Sequence, residues 1–414
     1  METDRIILHV DQNCFFASVE MKNNPELRNV PMAVAGDAKQ RHGIILAKNP
    51  LAQRCGVKTA EAIWQSKQKC PDLVVVPGHF ESYNYYSRRL VELYSQYTDL
   101  VEPFGLDECW LDVTASGAMT GQEIADEIRN RVKDELGLTC SVGVSFNKVF
   151  AKLGSDYKKP DATTVILREH FKEIVWPLPV ADLLYVGRST DMALKKINVR
   201  TIGELAALDQ HFLSRYMGKA GEVLWIYANG LDESPVARIG TTRTLKSVGN
   251  STTTPRDMVS NADVHTIMVT LSAQVGHRLR KHYLRGSTVQ IWVRDIRLQS
   301  FERQRKLEKA TNEDTTIANV AFALFMESYD WHAPLRSIGV RVTQLSDIHD
   351  YEQTTIFEMI HDTTKLSKVN EVLDRLRNQY GYHTVMKGRQ LQGVDDLSPE
   401  NRETVPHGAF NENE

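Results

Sequence analysis

Between Arg5 and Tyr157, short apolar runs of strand length alternate with helical periods, and this alternation confines the chain to an α/β or α+β fold. Arg5 to Val10 reads as a strand, because Ile6, Ile7, Leu8 and Val10 form an apolar run that stops at the polar group Asp11-Gln12-Asn13. A helix follows through Phe15, Phe16, Val19 and Glu20. Strands are predicted at Pro31 to Ala35, Gly43 to Leu46 and Leu73 to Val76, and helices at Thr59 to Lys69 and Glu81 to Tyr97. Leu100 to Phe104 and Cys109 to Val113 suggest a hairpin carrying Asp107 and Glu108 near its turn. The helix Gly121 to Leu136 has the fullest signature: Thr120 and Glu123 form a capping box, Ile124, Ile128, Val132 and Leu136 share a face, and Gly137 stops it. A strand at Thr139 to Val144 and a helix at Asn147 to Tyr157 complete the segment.

A chain of 414 residues predicts two to four domains at roughly 100–200 residues each. With 42% hydrophobic and 25% charged residues it has the composition of a folded globular protein. It has no apolar run near the roughly 18 residues of a membrane span, which argues against membrane and secreted readings. Cys14, Cys55, Cys70, Cys109 and Cys140 are scattered without a C-x-x-C pair, so reduced thiols and a cytoplasmic location are expected.

Asp182 to Leu208 reads as a small helical unit around Gly187 and Gly203. From Thr241 a separate α+β module is predicted, with helical periods at Ile267 to Tyr283 and Thr316 to Tyr329 and extended stretches at Thr288 to Val293 and Ser337 to Val342. Lys365 to Gln379 is amphipathic, and the final twenty or so residues read as a disordered tail. The net charge of -3 conceals segregation. Thr241 to Leu345 holds 15 Lys and Arg against 9 Asp and Glu, whereas Ser346 to Glu414 holds 7 against 13, so a basic module precedes an acidic end.

Asp11, Asp107 and Glu108 are the candidate chemical centre, since strands of one sheet could bring a strand end and a hairpin turn together. Clustered carboxylates suit hard cations, and two Mg²⁺ ions roughly 3.5–4 Å apart can activate one oxygen and stabilise another in phosphoryl transfer. The same acids also read as solvated groups at a strand end and a turn, which are common. Neighbours on a regular strand point to opposite faces, so Asp107 and Glu108 share a site only if the backbone bends there.

The segments His9-Val10-Asp11-Gln12-Asn13-Cys14-Phe15-Phe16 and Gly105-Leu106-Asp107-Glu108-Cys109-Trp110-Leu111-Asp112-Val113-Thr114 resemble the two catalytic motifs of Y-family translesion DNA polymerases. Ser141-Val142-Gly143-Val144-Ser145-Phe146-Asn147-Lys148, continuing to Asp156 and Lys158-Lys159-Pro160, resembles a third stretch of that family, and the likeness is to its polymerase IV-like members. The resemblance implies an α+β multidomain right hand. Its parts would be a ferredoxin-like palm (1–20 and 78–166), small fingers (21–77), a helical thumb with a helix-hairpin-helix element (167–238) and an α+β little finger that grips DNA (241–345). Residues 346–414 would hold a clamp-binding motif, a C-terminal helix and a flexible tail.

In such a palm Asp11, Asp107 and Glu108 hold two Mg²⁺ ions, with the backbone carbonyl of Gln12 completing one shell. The primer 3′-hydroxyl then attacks the α-phosphate of a deoxynucleoside triphosphate. Asp112, on the same hairpin, reads as structural. Phe16, five residues after Asp11, falls where the family places the aromatic gate against a ribose 2′-hydroxyl, and Phe15 is left to the core. Lys159 falls where the family has a triphosphate-binding lysine, and Lys148 is a weaker candidate. The fingers depart from the family: its usual triphosphate-binding Tyr and Arg fall on Pro50 and Gln53, neither of which does an arginine's job, so Lys48 and Arg54 are the expected substitutes.

Leu183 to Ser189 resembles the thumb's hairpin turn, where Gly187 and Ser189 would hold a DNA phosphate through backbone N–H groups. Lys246, Ser247, Arg278 and Arg280 are the candidate DNA contacts of the basic module, with Lys281, Arg285, Arg294 and Arg297 nearby. Gln353-Thr354-Thr355-Ile356-Phe357 resembles the peptide that docks bacterial polymerases on the sliding clamp, with Gln353, Ile356 and Phe357 as anchors. The expected activity is template-directed synthesis by a monomer in DNA damage tolerance and repair. A non-catalytic DNA- and clamp-binding adaptor is the alternative that the altered fingers keep open, and a nucleotidyl cyclase is disfavoured by the DNA-gripping modules.

Overall fold

The structure, a computed structural model, describes residues 4–37, 43–117, 119–241, 244–350, 363–381, 384, 385 and 388. They fall into two compact units, the first covering residues 4–36 and 44–241 and the second the described residues from 244 onward. The first opens with β1 (Ile7–Gln12), α1 (Phe15–Asn23), β2 (Met32–Ala35), β3 (Ile45–Lys48), α2 (Pro50–Arg54), α3 (Ile63–Lys69) and β4 (Val74–Val76). It continues with α4 (Phe80–Tyr94), β5 (Val101–Pro103), β6 (Glu108–Asp112), α5 (Gly121–Leu136), β7 (Cys140–Ser145), α6 (Lys148–Tyr157) and β8 (Thr163–Ile166). Helices α7 (Phe171–Val175), α8 (Arg188–Lys196), α9 (Ile202–Ala206), α10 (Gln210–Met217) and α11 (Lys219–Ala228) close it.

β1 is the middle strand of a five-stranded sheet ordered β5-β6-β1-β7-β8, antiparallel to both its neighbours. All six of its residues are buried, because Leu8 and Val10 face the core under α4 and α5 while Ile7 faces Ala151 of α6. A strand covered on both faces needs a continuous apolar run, which is what its sequence shows. Contrary to the sequence reading, β1 does not stop before Asp11: pairing continues through Asp11 and Gln12 to Ser141 and Cys140. α5 has the predicted bounds. Thr120 Oγ1 accepts from Glu123 N at 3.2 Å, Glu123 Oε2 accepts from Thr120 N at 2.7 Å, and Gly137 ends the helix in the left-handed region at φ 61°.

A second, three-stranded sheet ordered β3-β2-β4 carries α2 and α3. α3 begins at Ile63 rather than Thr59, because Ala60 adopts a φ of 65° and the Lys58 N–H is donated to Glu61 Oε1. Pro50 is the first residue of α2, where a missing N–H is harmless, and Asn49 caps the helix by accepting from Ala52 N at 2.9 Å. The small helical unit read from sequence is part of a larger cluster. Phe150 and Leu153 of α6 pack with Phe171, Leu194, Ile202 and Leu224, so α6 serves both the sheet and the helices.

The second unit contains β9 (Ser247–Met258), α12 (Asn261–Lys281), β10 (Leu284–Asp295), β11 (Ser300–Thr311), α13 (Asp314–Ser328), β12 (Leu335–Asp347) and α14 (Thr363–Tyr380). Its sheet is ordered β11-β10-β12-β9, with α12 and α13 packed against Val289, Ile291, Val293, Ile338 and Val340. β11 escaped the sequence reading because an edge strand largely in solvent needs little apolar alternation, and this one carries Arg303, Arg305, Lys306 and Lys309. Among the described residues no helix is long and apolar enough to cross a membrane.

Candidate active site

The register of the first sheet sets Asp11 directly opposite Glu108, and His9, two residues earlier on the same face, opposite Trp110. Asp107 lies in the turn before β6, where Gly105 takes a φ of 101° that a residue with a side chain rarely adopts. The turn takes Asp107 off the regular strand that begins at Glu108. The Asp107 carbonyl accepts the Gln12 N–H at 3.0 Å, tying the turn to the end of β1. Asp112, at the other end of β6, accepts from Thr114 N at 3.0 Å and so closes the following turn.

α6 comes close enough to reach the acids because two glycines face each other. A side chain on Gly143 of β7 would overlap the Ala151 carbonyl and the Ser155 nitrogen, and one on Gly154 would press on the Gly143 backbone. From this seat Lys152 donates to Glu108 Oε2, His9 Nε2 lies 3.2 Å from the same oxygen, and His9 Nδ1 shares a hydrogen bond of 2.8 Å with Ser155 Oγ. Lys159 Nζ lies 2.7 Å from both Asp11 Oδ2 and Asp156 Oδ1.

Burial, then the neighbouring Glu108 and Asp107 charges, push the Asp11 carboxyl up to about 7 against the opposing pull of Lys159. Burial and the Glu108 charge raise Asp107 to about 6. Glu108 goes the other way: burial opposes its ionisation, but the His9 hydrogen bond and the Lys152 charge hold it down at about 2. His9 is fully buried and is itself lowered to about 4 by burial, so at neutral pH the full positive charge beside Glu108 is the Lys152 ammonium. Among the described residues no three His, Cys, Asp or Glu side chains converge closely enough to enclose a metal ion, since Glu108 is turned to Lys152 and Asp11 to Lys159. By donor type the three carboxylates suit a hard divalent cation, and the upward push on two of them is the strain that such a cation relieves.

A pH dependence follows. Carboxyls raised in the fold favour the protonated state, so their contribution to stability is full below about pH 4 and is lost as pH rises through about 6 to 7. Thermal midpoints measured without divalent cations are expected to fall for the wild type relative to Asp11→Asn between about pH 5 and 8, and added Mg²⁺ is expected to reverse that fall most at the upper end. Equal pH profiles for the two proteins would contradict this electrostatic account.

Phe16 is half-buried and stacks on Tyr83, with ring centroids 4.2 Å apart, whereas Phe15 is 3% exposed and belongs to the core. Gln12 is buried with its side-chain amide donating to Tyr94 Oη at 2.8 Å. Lys48 of β3 donates to Thr59 Oγ1 at 3.2 Å, and its charge and that of Lys159 both reach Cys14, whose thiol burial otherwise pushes up. Arg54 and Gln53 are exposed on α2. Lys148 is committed elsewhere, to buried Glu102 at 2.7 Å and to the face of Trp110.

Gly187 caps α8, with Ser189 in its first turn, both exposed. In the second unit Lys246 and Ser247 lie exposed at the start of β9. Arg278 and Arg280, named from sequence as DNA contacts, sit on α12 and are taken up by the fold. Arg280 is bonded to Asp374 at 2.6 Å, to Asp314 at 2.9 Å and to the Asn312 carbonyl, and Arg278 donates to the Gly249 carbonyl. The sheet face turned away from the helices carries Ser247, Ser251, Gln290, Arg294, Lys306 and Arg341, as the strand registers require. His9, Lys152 and Ser155 were missed by the sequence reading, although His9 stands two residues before Asp11 and so had to share its face. Gln353, Ile356 and Phe357 lie outside the described residues.

Residues 10–156 match the impB/mucB/samB family and residues 245–356 match the impB/mucB/samB family C-terminal domain. The chain is 50% identical to a DNA polymerase IV of Acetivibrio thermocellus, over 94% of this chain and 98% of that one. It is 36% identical to DNA polymerase IV 1 of Bacillus subtilis, over 94% of each. Among solved structures, a Y-family DNA polymerase chimera superposes with a TM-score of 0.71 at 22% identity, covering 82% of this chain and 98% of the chimera.

Proposed function

Because the chain belongs to the impB/mucB/samB family of Y-family DNA-directed DNA polymerases, we propose that Asp11, Asp107 and Glu108 are its nucleotidyl-transfer centre and that it synthesises across damaged template. The observation that carries the reading is the pairing of Asp11 opposite Glu108, with Asp107 in the adjoining turn. Buried Asp11 and half-buried Asp107 and Glu108 on adjoining positions repel one another, and a cation bound among them would relieve that repulsion. We assign the five-stranded sheet with its helices to the palm (1–20 and 78–166), the three-stranded sheet to the fingers (21–77), the helical cluster to the thumb (167–238) and the four-stranded sheet unit to the little finger (241–345).

Asp11, Asp107, Glu108 and the Gln12 carbonyl would hold two Mg²⁺ ions. Bound there, the ions supply Lewis-acid activation of the primer 3′-hydroxyl and neutralise the departing pyrophosphate. The protein's own part is to orient and release. Lys152 holds Glu108 ionised, Lys159 pairs with Asp11 against the upward push of burial, and Lys159 and Lys48 are the cations that would meet a triphosphate. Arg54 is the further fingers candidate, since Pro50 starts a helix and Gln53 carries no charge. Phe16 stands as the gate against a 2′-hydroxyl.

Primer–template DNA and deoxynucleoside triphosphates are the substrates. Phosphates of the duplex would be held by the Gly187–Ser189 helix start and by the open sheet face beginning at Lys246 and Ser247, a non-specific and salt-dependent grip. Docking on a sliding clamp through Gln353, Ile356 and Phe357, action as a monomer and a cytoplasmic location complete the proposal. The test is primer extension over a template abasic site with Mg²⁺. The wild type is expected to insert opposite the gap and continue past it. Arrest one nucleotide before the gap, with full extension on intact template, would contradict the translesion role.

A further inference from the structure

Phe16 and Glu20 stand one turn apart on α1, and between them they hold Tyr83 of α4. Glu20 is 4% exposed, a carboxylate taken out of water, and its position is paid for by three donors. The Tyr83 hydroxyl donates to Oε1, the His79 backbone N–H donates to Oε1 at 3.3 Å, and His79 Nδ1 lies 3.0 Å from each oxygen. The Tyr83 ring, fully buried, lies nearly parallel to Phe16, with 14° between planes, and Phe80 packs edge-on against both rings. Burial and the bond to Glu20 raise the Tyr83 hydroxyl well above its ordinary range, so it remains a donor at every working pH.

A plain staple between α1 and α4 would need only one such bond and no particular ring geometry. Here the carboxylate fixes the one polar atom of the ring on which Phe16 rests. That matters because an apolar pocket by itself rejects an added hydroxyl only about 10²-fold. Stronger refusal requires a ring that cannot shift aside. We propose that Glu20 is a positioning residue for sugar selection: by anchoring the Tyr83 hydroxyl it holds the shelf under Phe16, and so keeps ribonucleotides out without itself touching the nucleotide. The inference rests on the reading of Phe16 as the sugar gate.

The experiment measures the ratio of kcat/KM for a deoxynucleotide to that for the matching ribonucleotide, on intact primer–template. A ratio does not change with the folded fraction, so a merely structural role for Glu20 leaves it unmoved. Tyr83→Phe keeps the ring and loses the hydroxyl, and Glu20→Ala loses the acceptor. Each is expected to lower the ratio about ten-fold or more, chiefly by raising ribonucleotide insertion. Glu20→Gln retains an acceptor for the hydroxyl and is expected to stay within about two-fold of wild type. Should Glu20→Ala fail to fold, Tyr83→Phe carries the test alone. Unchanged ratios in Tyr83→Phe and Glu20→Ala, alongside a Phe16→Ala variant that admits ribonucleotides, would overturn the inference and leave the gate standing. A Phe16→Ala variant that still refuses ribonucleotides would remove the gate and the inference together, and a wild type that adds no deoxynucleotide would remove the polymerase reading itself.

Discussion

Asp107→Ala is expected to abolish primer extension while leaving the protein folded and bound to DNA. The expected loss is about 10³-fold or more in nucleotide addition, because a cation ligand at a phosphoryl-transfer centre supplies several kcal/mol and each 1.4 kcal/mol is about ten-fold in rate. The structure explains why the lesion stays confined to chemistry. The turn is held by the Asp107 carbonyl bonded to Gln12 N and by the Gly105 backbone, neither of which the substitution alters. Removing an acid raised by burial and by Glu108 also relieves a repulsion, so the variant's thermal midpoint above pH 7 should equal or exceed that of the wild type. Primer–template affinity should be unchanged, since the proposed phosphate contacts lie elsewhere. A variant that extends primers at more than about a tenth of the wild-type rate would place the chemistry away from Asp107.

Gly143→Ala is expected to be the most damaging single methyl group in the first unit. Its Cβ would overlap backbone atoms of α6 at Ala151, Ser155 and Gly154, and backbone cannot swing away as a side-chain end can. Helix and strand must separate, at about 3 kcal/mol or more, the upper range for overpacking a well-filled interior. Because α6 also packs into the helical cluster and carries Lys152 and Ser155, the loss should show both as a lowered urea midpoint and as lost extension. A variant with an unchanged midpoint would mean that the close crossing of α6 over β7 is not as described. The converse pair, Asp107→Ala stable but inactive and Gly143→Ala unstable, separates the residues that perform the chemistry from those that seat it.

The sequence carried the local signals well and the long-range ones through motifs alone. α5 was legible to the residue because the capping box, the 3.6-residue period and the stop glycine all agree, and the apolar run of β1 had to be a strand buried on both faces. Phe15 was read correctly as a core residue, while Phe16, half-buried, also packs against the core. The opposition of Asp11 and Glu108 is a matter of strand register across 97 positions: the strand end and the hairpin turn suggested that the acids could meet, the resemblance of the motifs strengthened it, and the register itself was invisible to periodicity. Arg278 and Arg280 show what charge counts leave out. Charge counts say that a module is basic but not which face each cation takes, and α12 is the helix whose arginines are turned inward to Gly249, Asp314 and Asp374. β11 was missed because an edge strand in solvent does not need the alternation that betrays a buried one, and β9 because Thr252 and Thr254 put polar side chains at buried positions.

The most direct test of the central claim is single-nucleotide addition by the wild type to an undamaged primer–template, run with and without Mg²⁺, with DNA binding measured on the same samples. Addition that depends on the divalent cation, with binding in both conditions, is the result that the three acids predict. Binding in both conditions without addition in either would contradict it, and the protein would then be an adaptor that kept the polymerase fold and lost its chemistry at the altered fingers, Pro50 and Gln53.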